Sequence, residues 1–207
     1  MSYTGTVIAL DISKSNTGIS EGRPGETPRL SSLPFRKDHD GILSADRRAL
    51  KWIAMRLSVE RDLTMVRVAI EAPMQHVPPG QGNIKTTLQL YSLVMTVGAF
   101  AEERGCMVAI HPPTTIRKHF IQAGNLKSDD AKRAVRQRCL DLGWEPENFD
   151  QSDAAALWWF ACREWAPREA HIVDPTFLKA QGFAKQTAHP DFVEMVENID
   201  HRAARRS

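Results

Sequence analysis

The sequence is poor in the features that mark secreted, membrane-spanning or redox-active proteins. Its three cysteines are far apart, without the spacing of a disulfide framework or a zinc site. No apolar run is long enough to cross a membrane, and the start "MSYTGTVIALD" lacks the basic segment and apolar stretch of a signal peptide. We therefore expect a cytoplasmic protein without membrane association, whose thiols are reduced and buried.

A strong excess of charge is also missing. Lys and Arg number 27 and Asp and Glu number 25, so the net charge of +2 neither demands nor excludes a nucleic-acid partner. Hydrophobic residues make up 42% of the chain, which is typical of a globular protein. A length of 207 residues is enough for one sizeable domain with a buried core.

The hydrophobic pattern predicts an α/β fold. "TVIALDI", "NTGISE" and "RLSSLPF" predict three strands, and "MVRVAIEAP" and "CMVAIH" predict two more. Helices are predicted at residues 44–60, 84–104, 128–142 and 151–165, with a short one after Pro113. Because β-α-β connections are right-handed, strand 4 should pair in parallel with strand 1. The result is a mixed five-stranded sheet of order 3-2-1-4-5, flanked by helices.

The helix predicted at residues 84–104 is apolar on more than one face. Such a helix is buried on two sides, either within the fold or against a partner chain. By contrast, the segment from Ala166 onward is more polar and ends in "HRAARRS". It predicts an appended helix or two, partly mobile.

Four acidic residues form a candidate metal site. Asp11 and Glu71 each end a strand, and the predicted sheet places these two strands side by side. Asp150 and Asp153 start the last main helix, where an N-cap aspartate and a second acid would by themselves explain them. If that helix begins against the central strands, the four carboxylates converge and repel one another unless cations are bound. Oxygen-rich sites of this kind suit Mg²⁺.

Basic residues are concentrated between positions 116 and 138. They are Arg117, Lys118, Lys127, Lys132, Arg133, Arg136 and Arg138. A core stripe of Ala131, Val135 and Cys139 predicts that Lys132, Arg133 and Arg136 face outward. A solvated helix face would explain this pattern, but its place just before "DQSD" favours contact with phosphates.

Four segments together resemble one known family. "VIALDISKSNTG", "VAIEAPM", "AGNLKSDDAKRAV" and "NFDQSDAAALWWFA" are similar, in order and spacing, to the motifs of RuvC-type Holliday junction resolvases. The resemblance implies a ribonuclease H-like nuclease domain over residues 1–165 and a C-terminal helical extension over residues 166–207. It also implies a homodimer that nicks opposed strands of a four-way DNA junction symmetrically, with the helix at residues 84–104 as a candidate interface.

The resemblance carries residue roles with it. It implies that Asp11, Glu71, Asp150 and Asp153 bind two Mg²⁺ ions per active site, for which Mn²⁺ could substitute. Lys127 would contact the scissile phosphate, and Arg117 or Lys118 would be a second basic contact. Two positions depart from the family pattern: Ser13 replaces a glycine, and Met74 replaces an aromatic residue that often wedges into the junction. His76 lies beside Met74 as a further candidate for DNA contact.

Other functions also fit parts of the sequence. "DISKSNTG" resembles the phosphate loop of actin-like and sugar-kinase-like ATP-binding proteins, although those proteins need a second domain for which this chain is too short. A noncatalytic binder of branched DNA would gain nothing from four repelling carboxylates. A related ribonuclease H-like nuclease could act on flaps or RNA–DNA hybrids instead.

Overall fold

The computed structural model describes residues 3–13, 15–34, 42–73, 84–123 and 126–170. Five strands form one sheet of order β3-β2-β1-β4-β5, as the sequence predicts. β1 is antiparallel to β2 and parallel to β4, β2 is antiparallel to β3, and β4 is parallel to β5. The strands are β1 (Thr6–Asp11), β2 (Asn16–Gly22), β3 (Arg29–Pro34), β4 (Val66–Glu71) and β5 (Met107–His111).

Six helices follow and connect these strands: α1 (Ile42–Ser58), α2 (Ile84–Glu103), α3 (Pro113–Phe120), α4 (Ser128–Asp141), α5 (Phe149–Trp165) and α6 (Pro167–Ala170). Helix α1 starts two residues before the predicted residue 44, and α5 starts two residues before the predicted residue 151. The short α6 shows that the extension begins as helix. The predictions for residues 171–207, Met74 and His76 lie outside the described residues.

The sheet buries a core on each face, because successive side chains of a strand point to opposite sides. Helices α1 and α2 cover one face, where Ile8, Leu10 and Ile70 are buried. Helices α3, α4 and α5 cover the other face, where Val7 and Ala69 are buried. Since both faces are covered, the central strands read as nearly continuous apolar runs.

Helix α5 lies unusually close to the sheet. Its small residues 154–156 are fully buried. The indole of Trp158 packs at Gly22 of β2, where a Cβ would lie 3.6 Å from the ring. Trp158 and Trp159 are buried in this core as packing residues. At Gly18 of β2 the backbone of Asp150 lies where a Cβ would be, so this glycine lets the helix approach the strand backbone.

Helix α2 has two apolar sides with different surroundings. One side is buried in the fold through Leu93, Val94, Val97 and Ala101. The other is exposed and forms a stripe of Ile84, Leu88, Tyr91 and Met95, at helical spacings of four, three and four residues. The exposed stripe is called the α2 stripe below. Burial of α2 on one side within the fold is therefore confirmed, and a partner on the other side stays a prediction.

None of the helices in the described ranges combines the length and apolarity that a membrane span requires. Cys106, Cys139 and Cys162 are buried free thiols, as predicted.

Candidate active site

The first half of the site is set by two parallel strands. β1 and β4 pair in register from Thr6 with Val66 to Leu10 with Ile70, so Asp11 and Glu71 end adjacent strands at the same edge. Alternate residues of a strand share one face of the sheet, so Asp11 lies on the same face as Val7, and Glu71 on the same face as Ala69. This is the face that α5 covers. The predicted adjacency of the two acids is confirmed.

The second half comes from the start of α5. Asn148 is the N-cap, and its side-chain oxygen accepts a hydrogen bond from the Gln151 amide at 2.9 Å. The interpretation of Asp150 as the N-cap is therefore wrong. Asn caps helices as well as Asp does, and it lies two residues earlier, so Asp150 becomes the second residue of the helix. Its carboxylate is left available for other partners.

Contacts with β2 and β3 fix this helix end against the sheet. The side-chain amides of Asn148 and Gln151 both donate to the hydroxyl of Ser32, at 3.2 and 3.1 Å. At Gly18 the backbone of Asp150 occupies the space that a Cβ would need. The start of α5 therefore lies where β1 and β4 end, which brings its two aspartates toward Asp11 and Glu71.

The charges of the four carboxylates act on one another. Burial raises the pKa of Asp11 well above its ordinary range, and the charges of Glu71, Asp153 and Asp150 raise it further. The pKa of Glu71 is raised to about 7 by burial and by Asp153. Asp153 is only 6% exposed, and its burial raises its pKa as well. The acids therefore repel one another, and their convergence into one metal site stays a prediction.

The chemistry of these donors fits a hard divalent cation. Across the described ranges, no three His, Cys, Asp or Glu side chains are already close enough together to hold a metal ion. The four acids nevertheless offer only oxygen ligands, which Mg²⁺ prefers. Their mutual repulsion would be relieved by a bound cation, because positive charge favours the ionised form of each carboxylate.

Two basic side chains act on the acids. The Nη2 atom of Arg117 lies 3.6 Å from Oδ2 of Asp153. Arg117 and Lys132 both oppose the upward shift in the pKa values of Glu71 and Asp153, and Lys132 also lowers that of Asp11. Lys132 is half-buried, between the buried Ala131 and the exposed Arg133, so it lies at the border of the outward face. The packing of α4 beside α5 directs its charge toward the acids.

The other predicted basic residues lie in different surroundings. Arg133 is exposed and pairs with Asp130 at 2.6 Å, as expected of an outward-facing residue. Arg136 is half-buried and donates to the carbonyl of Pro146 at 3.4 Å, so it is held beside the start of α5 rather than free in solvent. Lys118 and Lys127 are exposed, and their expected roles stay predictions.

Comparison with solved structures identifies the architecture. A structure of Thermus thermophilus RuvC aligns with a TM-score of 0.52 and 16% identity over 74% of this chain and 90% of that one. The chain has the fold of RuvC-type Holliday junction resolvases. T. thermophilus RuvC in complex with a Holliday junction substrate aligns at 0.54 and 16% identity, covering 86% and 97% of the two chains. The yeast mitochondrial Holliday junction resolvase aligns at 0.53 and 15% identity, covering 90% and 86%.

No protein-family model and no curated protein matches the chain. One polar residue of the site was missed by sequence reasoning. The side-chain amide of Asn16 donates to Oδ2 of Asp150 at 2.7 Å. The local sequence offers only a turn signal at Asn16, because its partner lies far along the chain.

Proposed function

We propose that this protein is a metal-dependent endonuclease that resolves four-way DNA junctions by paired, symmetric nicking. The observation that carries the proposal is that Asp11 and Glu71 end adjacent parallel strands of a RuvC-type fold, at the edge where α5 begins with Asp150 and Asp153. Open α/β sheets bind ligands at this edge. The similarity to a RuvC structure bound to a junction supports branched DNA as the substrate.

The four acids would hold the metal. Asp11, Glu71, Asp150 and Asp153 supply oxygen donors that suit Mg²⁺, two ions per active site, and Mn²⁺ accepts the same ligands. When bound, such ions lower the pKa of a water nucleophile and stabilise the charge of the leaving oxygen. The protein itself supplies the orientation of the carboxylates, through the sheet edge and the fixed start of α5.

The basic residues would position the DNA. Arg117 lies 3.6 Å from Asp153, and the charge of Lys132 acts on Glu71, so both would contact the phosphate that is cut. Lys127 would contact the scissile phosphate, as the resemblance implies. The remaining basic residues would contact flanking phosphates: Lys118, Arg133 and Arg136. Phosphate contacts orient a protein on DNA without reading its sequence. Met74 and His76 remain predicted junction contacts outside the described residues.

The α2 stripe would form the homodimer. Ile84, Leu88 and Met95 are 77%, 61% and 59% exposed, and a helix rarely leaves such a continuous apolar stripe uncovered. A twofold interface uses the same surface on both chains. Two copies would then present two active sites to opposed strands of one junction.

The test is cleavage with Mg²⁺ across four substrates: four-way junction, flap, RNA–DNA hybrid and linear duplex. We expect the wild type to cut the junction in symmetric pairs. Asp153→Asn should bind the junction but cut at least about a hundredfold more slowly, since it removes a charged ligand from the centre. Asp130→Asn is the matched control, because Asp130 is an exposed acid paired with Arg133.

The outcomes separate the alternatives. Normal cutting by Asp153→Asn would show that the metal site is assigned wrongly. Preference for flaps or hybrids would show a related nuclease with another substrate. ATP hydrolysis without cleavage of any DNA would instead favour the kinase-like interpretation.

A further inference from the structure

The turn between β1 and β2 reaches the candidate metal ligand Asp150. Asn16, the first residue of β2, donates its side-chain amide to Oδ2 of Asp150 at 2.7 Å. A carboxylate has no proton to donate in its ionised form, so the amide nitrogen must face it. This hydrogen bond joins two segments that are 134 residues apart in sequence.

Ser13 holds Asn16 in place. The Ser13 hydroxyl donates to the backbone carbonyl of Asn16 and accepts from the backbone amide of Asn16, the latter at 3.1 Å. The serine hydroxyl therefore bonds both backbone groups of Asn16 and closes the turn, as Ser side chains often do. A glycine at position 13 could make neither bond.

The backbone amides that follow Asp150 already have partners. In the first turn of a helix, unpaired backbone amides attract carboxylates. In α5 the Gln151 amide donates to the side chain of Asn148, and the Ser152 amide donates to the Asn148 carbonyl. The side-chain amide of Asn16 instead binds the Asp150 carboxylate, at the start of β2.

We infer that Asn16 is a positioning residue for Asp150, and that Ser13 acts through Asn16. The inference rests on the proposed function, because it assigns Asn16 to the orientation of a metal ligand. The backbone at the start of α5 is fixed separately, by Ser32 and by the close contact at Gly18. Loss of the Asn16 amide should therefore turn the carboxylate of Asp150 without displacing the helix.

The experiment measures Mn²⁺ binding to the EDTA-treated full chain by the loss of the free Mn²⁺ signal in electron paramagnetic resonance. Asn16→Leu keeps the size of the side chain but removes its donor. We expect it to bind Mn²⁺ about 10–100-fold more weakly, the usual effect of losing a group that orients a metal ligand. The Mg²⁺ concentration that Asn16→Leu needs for junction cleavage should rise in parallel.

Gln137→Leu is the matched control. The side-chain amide of Gln137 also donates to a carboxylate, that of Asp141 at 2.9 Å, but on the exposed surface of α4 and away from the acids. We expect its Mn²⁺ affinity to stay within about twofold of the wild type, since exposed substitutions usually have small effects. Equal weakening of Mn²⁺ binding in Gln137→Leu and Asn16→Leu would overturn the inference, because the loss would then be unrelated to Asp150.

Ser13→Ala tests the second step and does not depend on how Asn16→Leu folds. Alone it should weaken Mn²⁺ binding, and added to Asn16→Leu it should weaken it no further, because the two residues act in series. Additive effects, or Mn²⁺ affinities of both single variants within about twofold of the wild type, would overturn the inference. A wild type that binds Mn²⁺ but cuts no branched DNA would end the proposed function while leaving this test intact.

Discussion

Gly18 of β2 lies so close to Asp150 of α5 that a methyl group at position 18 would overlap the Asp150 carbonyl. The same methyl group would lie 3.0 Å from the Gln151 amide nitrogen. These are backbone atoms, so they can yield only if the start of the helix moves. The distance between α5 and the sheet, and with it the position of two acids, therefore depends on the missing side chain.

Gly18→Ala should accordingly impair both stability and the metal site. We expect a loss of about 1–3 kcal/mol in the free energy of unfolding, as for other overpacked sites. Mn²⁺ affinity should fall at the same time, because Asp150 and Asp153 move with the helix. The measurements are thermal or urea unfolding and Mn²⁺ titration.

Gly98→Ala is the control for Gly18→Ala. A methyl group there would meet Ile70 and Val108 side-chain atoms at 3.6 and 3.7 Å, which is ordinary contact. Since Gly98 lies inside helix α2, alanine should stabilise the protein by up to about 1 kcal/mol. If Gly18→Ala is as well tolerated as Gly98→Ala, the close contact does not set the position of α5.

The metal-free protein should lose stability as pH rises from about 4.5 to about 7. The pKa of Glu71 is raised from 4.5 to about 7, and those of Asp11 and Asp153 are raised as well. Over this range the folded chain holds more protons than the unfolded chain, so the free energy of unfolding falls as pH increases. Urea unfolding in EDTA at several pH values measures the slope.

Glu71→Gln should flatten this dependence, because the amide has no charge to bury. Mg²⁺ should restore stability to the wild type near pH 7.5 through binding to the folded state, and should do so less in the variant. A metal-free wild type whose stability is constant or rises between pH 4.5 and 7 would contradict the raised pKa values.

Arg117→Gln should weaken the site more than Arg133→Gln. The Arg117 guanidinium lies 3.6 Å from buried Asp153, and its loss would raise the pKa of Asp153 further. We expect weaker Mn²⁺ binding and slower junction cleavage near pH 7, with partial recovery at higher pH as Asp153 ionises. Each variant removes one positive charge, so their nonspecific effects on DNA binding are matched.

Arg133 pairs with Asp130 on the surface, where such ion pairs contribute about 0–1 kcal/mol. Arg133→Gln should therefore change Mn²⁺ affinity little. An equal loss of Mn²⁺ affinity in both variants would argue against a specific role of Arg117 at the acids.

Leu88→Glu combined with Met95→Glu should convert the predicted dimer into a monomer. Both side chains lie in the α2 stripe, and burying two carboxylates in an apolar interface is strongly unfavourable. Light scattering coupled to size-exclusion chromatography measures the mass. Paired nicking should change to single, uncoordinated nicks.

Leu140→Glu is the control for the α2 stripe. Leu140 is 46% exposed on α4, which covers the opposite face of the sheet. The mass of the Leu140→Glu variant in solution should equal that of the wild type. A wild type that is monomeric at micromolar concentration would contradict the prediction that the α2 stripe forms a dimer interface.

The sequence alone determined the strands, the sheet order and the meeting of Asp11 with Glu71. These follow from local information: apolar runs, turn residues and the handedness of β-α-β connections act over short stretches of chain. The start of α5 could also have been read locally, because Asn148 is as good an N-cap as Asp150. The prediction was wrong because it took Asp150 as the N-cap in place of Asn148, two residues earlier.

Only the tertiary structure decided which polar groups act on the acids. The Asn16–Asp150 hydrogen bond spans 134 residues, and the direction of Lys132 depends on how α4 packs against α5. The hydrophobic pattern of the sequence predicts neither of these two contacts, because each forms between surfaces that meet only after folding. The sequence thus supplied the carboxylates, while packing at Gly18 and the turn at Ser13 decided how the Asp150 carboxylate is held.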